Sequence, residues 1–371
     1  MLGGQALVVD ALARQLSALG HAVVVLAPRQ HHAGACDDGD LPYRMVRHPR
    51  PFSTRWFVRW YGRWLHLLHR QHRFDVVHCH STYPNGYVAA SCRALADLPL
   101  VITSHGSDLD PLSLLARKPQ LRARYLLALE RSDAVVALSG STAERFRQVC
   151  PGVRRIERIP NGVDLARFAA EVPRPAALDP AVQPGEYLLL MGRLEPRKGV
   201  DLLLTAFALV AEGNRLALVV AGEGSALAAL REQAAGLGLG NRVRFVGRVE
   251  GDMKTWLVAH ARCSVIPSRI SEAFPLALLE SYASGRPVIG TRIPGLAELI
   301  APQQTGLLVA AESAAELARA LATAIREPRQ MDALGRQARH AAQAYDWSHI
   351  ARRHVELFAE LISQRRARQA A

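Results

Sequence analysis

Short apolar runs alternate with longer amphipathic stretches along almost the whole chain. Ala22–Ala27, Asp75–Cys79, Leu100–Thr103, Ala134–Leu138, Tyr187–Met191, Leu216–Ala221, Val243–Val246, Cys263–Pro267 and Pro287–Thr291 are short, rich in branched residues and bounded by turn residues. Runs of this kind are strands buried on both faces of a parallel sheet, and the amphipathic stretches between them supply crossover helices. Pro173, Pro175, Pro180 and Pro184 punctuate Val172–Gly185, which reads as a linker. The pattern predicts two α/β domains, residues 1–170 and 186–346, joined by 171–185. A final helix with an apolar face, residues 347–368, is expected to return to the first domain.

The opening of the chain breaks this rhythm. Gly3 and Gly4 lead straight into a helical pattern over Gln5–Leu19, and the first strand-like run comes only after it. A doubly wound domain normally opens with a strand that ends in the middle of its sheet. Either the fold begins unusually or Met1 is an internal methionine, and the second is the expectation: a first domain whose first strand is missing. Two unpaired strand edges and exposed apolar helix faces are expected to result.

Composition narrows the class. The 371 residues suffice for two cores, and 49% apolar with 21% charged residues is ordinary for a globular protein. No apolar run approaches the roughly 20 residues that span a bilayer, and residues 1–20 lack a signal-peptide layout. Five cysteines (Cys36, Cys79, Cys92, Cys150 and Cys263) are scattered without metal-ligand spacing, which suits a reduced cytosolic protein. The net charge of +13 is uneven: residues 1–175 hold 23 Lys and Arg against 14 Asp and Glu, and residues 176–371 hold 23 against 19. A basic first half points to an anionic partner, or to a generally arginine-rich proteome.

Glu272 and Glu280 are the candidate chemistry that stands out. Ser271 is a good helix N-cap before an apolar run, so both glutamates are expected on one helix, roughly 12 Å apart. Paired glycosidase carboxylates stand about 5 to 9.5 Å apart. The wider spacing suits the two ends of an elongated ligand, with a helix N-terminus between them for phosphates. A nucleotide sugar has that form, and two ordinary helix carboxylates are the alternative. A second phosphate candidate is Gly192-Arg193-Leu194-Glu195-Pro196-Arg197-Lys198-Gly199, where a strand ends and a helix begins. Its cations can neutralise phosphate oxygens and its glycines admit a ligand close to the backbone. Gly222-Glu223-Gly224 follows another strand, but Leu227 stands where a dinucleotide fingerprint needs its third glycine, so a plain tight turn is expected there.

Taken together, Gly-Arg-Leu at 192–194 with Lys198-Gly199, Gly222-Glu223-Gly224, Val243–Gly247, Glu272 with Glu280 and Gly285–Thr291 resemble the group 1 (family 4) retaining glycosyltransferases. The first half agrees, through Gly3-Gly4, Gly20-His21, Asp75–His80, Thr103–Asp108 and Ile159–Asp164 with Phe168. The resemblance covers essentially the whole chain. It implies the GT-B fold, two Rossmann-like domains facing across a cleft, and metal-independent transfer of a sugar from a nucleotide-diphosphate donor with retained configuration.

The resemblance also distributes roles. Arg193 and Lys198 would hold and stabilise the leaving diphosphate, and Glu280 would take the ribose hydroxyls. Glu272 would sit by the donor sugar, with Phe274, Pro275 and Leu276 following it. His105 would reach the sugar from the other domain. Gly3, Gly4, Gly192, Gly222 and Val246 would line the donor site. Fixed cations and a helix N-terminus suit the negative charge that builds on the departing diphosphate. Same-face attack or a covalent Glu272 intermediate remain alternatives. Pro275 stands where the family often has glycine, which removes one possible donor amide. Asp108 and Asp110 resemble an Asp-x-Asp metal pair but precede Pro111, and no metal is expected. His78 reads as structural, and His80 as structural or cleft-lining. Asn161 and Asp164 are expected to shape a loop, and His31 and His32 to be solvated.

The acceptor side is read from Arg50–Arg73. Trp56, Trp60 and Trp64 recur every four residues, as do Arg55, Arg59 and Arg63, so a helix carries adjacent aromatic and cationic stripes, with Phe57, Leu67 and Leu68 extending the apolar side. Eight arginines and no acidic residue lie between Leu41 and Phe74. This suits an anionic membrane surface, against the alternative of tryptophans packed into the core. The expectation is a cytoplasmic enzyme, peripheral on the inner face of the plasma membrane. It would glycosylate a lipid-linked, lipopolysaccharide or exopolysaccharide-type acceptor. A non-catalytic or truncated nucleotide-sugar binder and a GT-B epimerase or phosphorylase are the competing readings. No recognition motif supports nucleic-acid binding.

Overall fold

The computed structural model describes residues 4–28, 40–48, 54–106 and 118–370, with residues 54–57 described by their backbone alone. Gly3, His31, His32, Cys36, Arg50, Asp108 and Asp110 fall outside the described residues, as do the side chains of Arg55, Trp56 and Phe57. The chain divides into two compact units, one of Met1–Asn161 with Trp347–Ala371 and one of Gly162–Asp346.

The first unit runs α1 (Gly4–Ala18), β1 (Val24–Pro28), β2 (Arg44–His48), α2 (Thr54–His72), β3 (Val77–Cys79), α3 (Tyr87–Ser91), β4 (Leu100–Thr103), α4 (Pro119–Arg131), β5 (Ala134–Ala137), α5 (Gly140–Val149) and β6 (Ile156–Arg158). All its strand pairs are parallel, in two separate sheets: β1-β2 and β3-β4-β5-β6. β4 and β5 are buried at every position, whereas all five residues of β1 are half-buried. The core gathers Tyr61, Leu65, Val88, Ile102, Leu129, Val135 and Phe146. Helix Trp347–Ala370 belongs to this unit. It buries Ile350, His354 and Leu361, and Arg365 donates to the Ala96 and Leu98 carbonyls.

The second unit runs α6 (Leu165–Ala169), β7 (Tyr187–Met191), α7 (Val200–Ala211), β8 (Ala217–Ala221), α8 (Leu227–Gly236), β9 (Val243–Gly247), α9 (Gly251–His260), β10 (Cys263–Ile266), α10 (Leu276–Ala283), β11 (Val288–Thr291), α11 (Leu296–Leu299), β12 (Gly306–Val309), α12 (Ala314–Arg326) and α13 (Pro328–Ala342). Its six strands form one parallel sheet in the order β12-β11-β10-β7-β8-β9. That is the doubly wound order, which reverses beside the first strand, β7. The core packs α7 and α12 on the sheet through Leu203, Phe207, Leu317 and Leu321 against Leu188 and Leu218. Ser313 caps α12 by accepting from the Glu316 amide, and Glu316 in turn accepts from the Ala310 amide at 2.7 Å.

The first unit differs from the second in having two separate parallel sheets, β1-β2 and β3-β4-β5-β6, where the second has one sheet of six strands. Among the described residues no strand takes the place that β7 holds. Apolar exposure on α1 accompanies this, with Leu7 exposed on the helix and Leu19 exposed just beyond it.

Two expectations change. The proline-rich stretch 171–185 lies within the second unit, because its apolar residues are consumed by packing: Leu178 and Val182 are buried. Arg174 holds it further, donating to the Val182 and Asp179 carbonyls and lying over the Trp256 ring. Strands β2, β6 and β12 add to those expected. β6 has three residues and β2 carries three basic ones, Arg44, Arg47 and His48, so neither shows the continuous apolar signature.

Candidate active site

In an open doubly wound sheet, ligands bind at the carboxyl ends of strands where the order reverses. In the second unit that point lies between β7 and β10. Lys198, from the loop after β7, donates to Glu272 Oε1 of the loop after β10 at 2.5 Å. Ser268 Oγ donates to the same oxygen at 2.6 Å. Both charged side chains are largely withdrawn from water, Lys198 at 22% and Glu272 at 11% exposure. The Glu272 amide donates to the Pro294 carbonyl at 3.2 Å, which ties this loop to the one after β11.

Glu272 does not lie on a helix, contrary to the sequence reading. Helix α10 starts at Leu276 with Pro275 in the N-cap position. A proline disfavours helical backbone in the residue before it and offers no amide hydrogen, so the helix cannot extend back to Ser271. Ser271 Oγ instead donates to the Pro294 carbonyl at 3.4 Å. The along-helix spacing therefore does not describe this pair, although the α10 N-terminus still falls between the two glutamates. Phe274 is buried, with its ring 5.7 Å from that of Tyr345.

Glu280 is the only charged residue of α10, whose stretch Leu278–Ala283 is buried throughout. Its carboxylate accepts from Lys254 of α9. Lys254 and Glu280 side chains are 14% and 10% exposed, and the Lys254 ammonium also lies 5.8 Å from the centre of the buried Phe168 ring.

Arg193 is exposed and paired with Glu195 at 3.0 Å, and Arg197 takes the same carboxylate at 2.8 Å. Burial pushes the Glu195 carboxyl upward. The Arg197 hydrogen bond and the charges of Arg193, Arg197 and Lys198 outweigh that and hold it below its ordinary value. The loop therefore presents three cations against one carboxylate of its own.

The Gly222 turn is more than a tight turn. Gly222 has φ of +154°, and a Cβ there would run into the Gly192 carbonyl oxygen. Only glycine lets the β7 and β8 loops approach this closely. Val246 lines a cavity of about 630 Å³ beside edge strand β9, with Leu178, Arg231, Arg244 and Met253. Neither Glu272 nor Glu280 lines that cavity.

In the first unit, Gly4 begins α1, and the next residue, Gln5, donates to the His80 carbonyl. His105 follows β4, and its Nε2 lies 3.2 Å from His80 Nδ1, with the two rings stacked. His78 bonds Thr103 Oγ1 at 2.7 Å, and its ring packs against those of His80 and His354. Burial, then neighbouring imidazoles, hold His78 and His80 well below the usual histidine range. His354 is lowered to about 4, chiefly by burial. Asp164 caps α6 by accepting from the Arg167 amide, and Asn161 is buried.

The structure thus joins Lys198 with Glu272 and ties Gly192 to Gly222, while Glu280 stands with an unforeseen partner. Lys254 and the Asp201–Arg269 bridge at 2.6 Å carry no sequence signal, because each acts through a contact between separate elements, whereas Ser268 bonds Glu272 from within the same loop.

Residues 180–341 match the family described as Glycosyl transferases group 1, and residues 2–167 match Glycosyltransferase Family 4. A glycogen synthase of Mycobacterium tuberculosis is 32% identical over 81% of this chain and 72% of its own length. A phosphatidyl-myo-inositol mannosyltransferase of Mycolicibacterium smegmatis is 30% identical over 91% of this chain and 85% of its own. Among solved structures, Anabaena HepE in complex with UDP and glucose superposes with a TM-score of 0.78 at 21% identity, covering 97% of each chain. The chain belongs to the group 1 (family 4) glycosyltransferases, and its fold is GT-B.

Proposed function

We propose that this glycosyltransferase moves a sugar, with retention, from a nucleotide-diphosphate donor to a glycolipid or polysaccharide-precursor acceptor. The observation that carries the donor half is the Lys198–Glu272 contact at the switch point of the second sheet. A cation for the diphosphate and a carboxylate for the sugar stand together where a doubly wound sheet binds its ligand. Arg193 would complete the diphosphate clamp once its exposed bridge to Glu195 opens. The α10 N-terminus adds backbone amides and a favourable dipole. Glu280, one helical turn further on, would accept the ribose hydroxyls. Charge stabilisation of the diphosphate by these groups needs no metal ion. Support for a nucleotide donor comes from HepE, solved with UDP and glucose.

The acceptor half rests on α2. The helix buries Tyr61, Leu65 and Leu68 and exposes Arg59, Arg63, Leu67 and Arg70, with Trp60 37% exposed and in edge contact with Trp64. The core is thus filled without Trp60, which leaves an aromatic and cationic face outward. Such a face suits an anionic membrane. Among the described residues no helix is long and apolar enough to cross one. The relative named for phosphatidyl-myo-inositol supports a lipid-linked acceptor, and the outward face of α2 is what suggests a peripheral place on the inner membrane face.

Calorimetric titration with UDP-, GDP- and ADP-sugars, with Glu280→Ala as control, tests the donor reading. Binding of one donor that weakens in the variant is expected. A folded protein that binds none of them overturns it.

A further inference from the structure

The donor reading uses Glu280 and gives Lys254 no part. Yet Lys254 is among the most sequestered cations of the second unit, held between Glu280 and the Phe168 ring and flanked on α9 by the buried Thr255, Trp256, Leu257 and Val258. A buried ion pair adds little stability over apolar residues of the same volume. Packing alone therefore gives no reason for a lysine here.

The geometry of the carboxylate does. Among the described residues, Lys254 is the one side chain bonded to Glu280, and it takes Oε1. An ionised carboxylate has about four acceptor positions, so Oε2 and part of Oε1 retain acceptor capacity. With one oxygen held from α9, the range of carboxylate orientations is narrowed before any ligand arrives. Such narrowing matters most for a vicinal diol, whose two hydroxyls must be met at once and at set angles. We propose that Lys254 is a positioning residue that confers selectivity for ribose over deoxyribose, by holding Glu280 as a preset acceptor for the donor's 2′ and 3′ hydroxyls. This rests on the nucleotide-sugar reading of the same site.

The test uses the full chain and calorimetry. UDP, GDP and ADP are titrated first, and the tightest is then compared with its 2′-deoxy counterpart. Wild type is expected to favour the ribonucleotide by about tenfold, the order of one hydrogen bond to a charged group. Lys254→Met reduces the ratio to about twofold or less, with affinity for the ribonucleotide falling more than that for the deoxynucleotide, which loses only the ordered contact to its remaining 3′ hydroxyl. Glu280→Gln produces a similar loss, and the double variant adds nothing further. Lys254→Gln, which keeps one donor, gives an intermediate ratio and serves if the methionine variant does not fold. Equal weakening of both ligands in Lys254→Met, with the ratio preserved, marks a merely structural lysine and overturns the proposal. So does a wild type that binds both ligands equally. Absence of nucleoside diphosphate binding overturns the donor reading and this inference together.

Discussion

The Lys198 ammonium lies 2.5 Å from Glu272 Oε1, so the cation expected to meet a diphosphate is already neutralised by the carboxylate expected to meet the sugar. A donor must therefore displace or share this bond. Glu272→Gln removes one negative charge from the site, worth roughly 1 to 4 kcal/mol to an incoming diphosphate about 4 Å away, for effective dielectrics from near 80 down to about 20. The nucleoside diphosphate alone is expected to bind at least several-fold tighter to this variant, while sugar transfer falls at least about a hundredfold, as for loss of one oriented charge. Calorimetry and turnover on the same preparation check both halves. Unchanged diphosphate affinity would show that Lys198 is not held back by Glu272.

The histidine column of the first unit predicts an acid-sensitive fold. His354 has a folded value of about 4, below the unfolded value near 6.5, and burial is the main cause. The unfolded chain therefore binds more protons in this window. Stability is full above pH 6.5 and is lost as pH falls towards 4. His354 alone accounts for about 2 kcal/mol by pH 5, and His78 and His80 act in the same direction. Urea unfolding between pH 5 and pH 8 should show this slope, and His354→Gln should flatten it. An identical slope in the variant would remove His354 as its source.

Gly222→Ala should destabilise the second unit by about 2 to 4 kcal/mol, because the added Cβ meets the Gly192 carbonyl oxygen and the backbone must move. Gly236→Ala is the matched control. It lies in α8 with open space where its Cβ would go, and an ordinary helical backbone predicts a gain of up to about 1 kcal/mol. Thermal melts of the two variants should shift in opposite directions.

For α2, changing Arg55, Arg59 and Arg63 together to Glu should abolish cosedimentation with anionic vesicles. Each basic residue near such a surface contributes about 1 kcal/mol, and reversal turns attraction into repulsion. Raising the salt concentration should weaken the wild type in parallel. Equal binding by both proteins would sink the membrane reading.

The fold was legible to the extent that burial on both faces writes itself into sequence. β4, β5, β7 and β8 are continuous apolar runs because parallel strands have no solvent face. β6 is too short to show a period, and β2 has too many basic residues. Leu178 and Val182 sit among prolines that read as punctuation, and their burial depends on residues far along the chain. At the site, Glu272 and Glu280 could be picked out by type and spacing. The turn imposed by Pro275 decided where they stand. Lys254 meets Glu280 across two helices, a relation no local pattern can express.

The loops of the second unit are knotted to one another by their backbones. Leu194 donates to Glu223, Arg269 to Arg197 and Glu272 to Pro294, at 2.9, 2.9 and 3.2 Å. One consequence concerns inheritance. These ties join main-chain amides and carbonyls, so a recombination breakpoint between β7 and β11 keeps the bonding groups but pairs loops of different parents, whose shapes were not fitted to one another. Exchange of the whole segment Gly162–Asp346 carries every tie across intact. In chimaeras of this enzyme with its relatives, donor preference should travel as a single heritable block and should not blend by degrees.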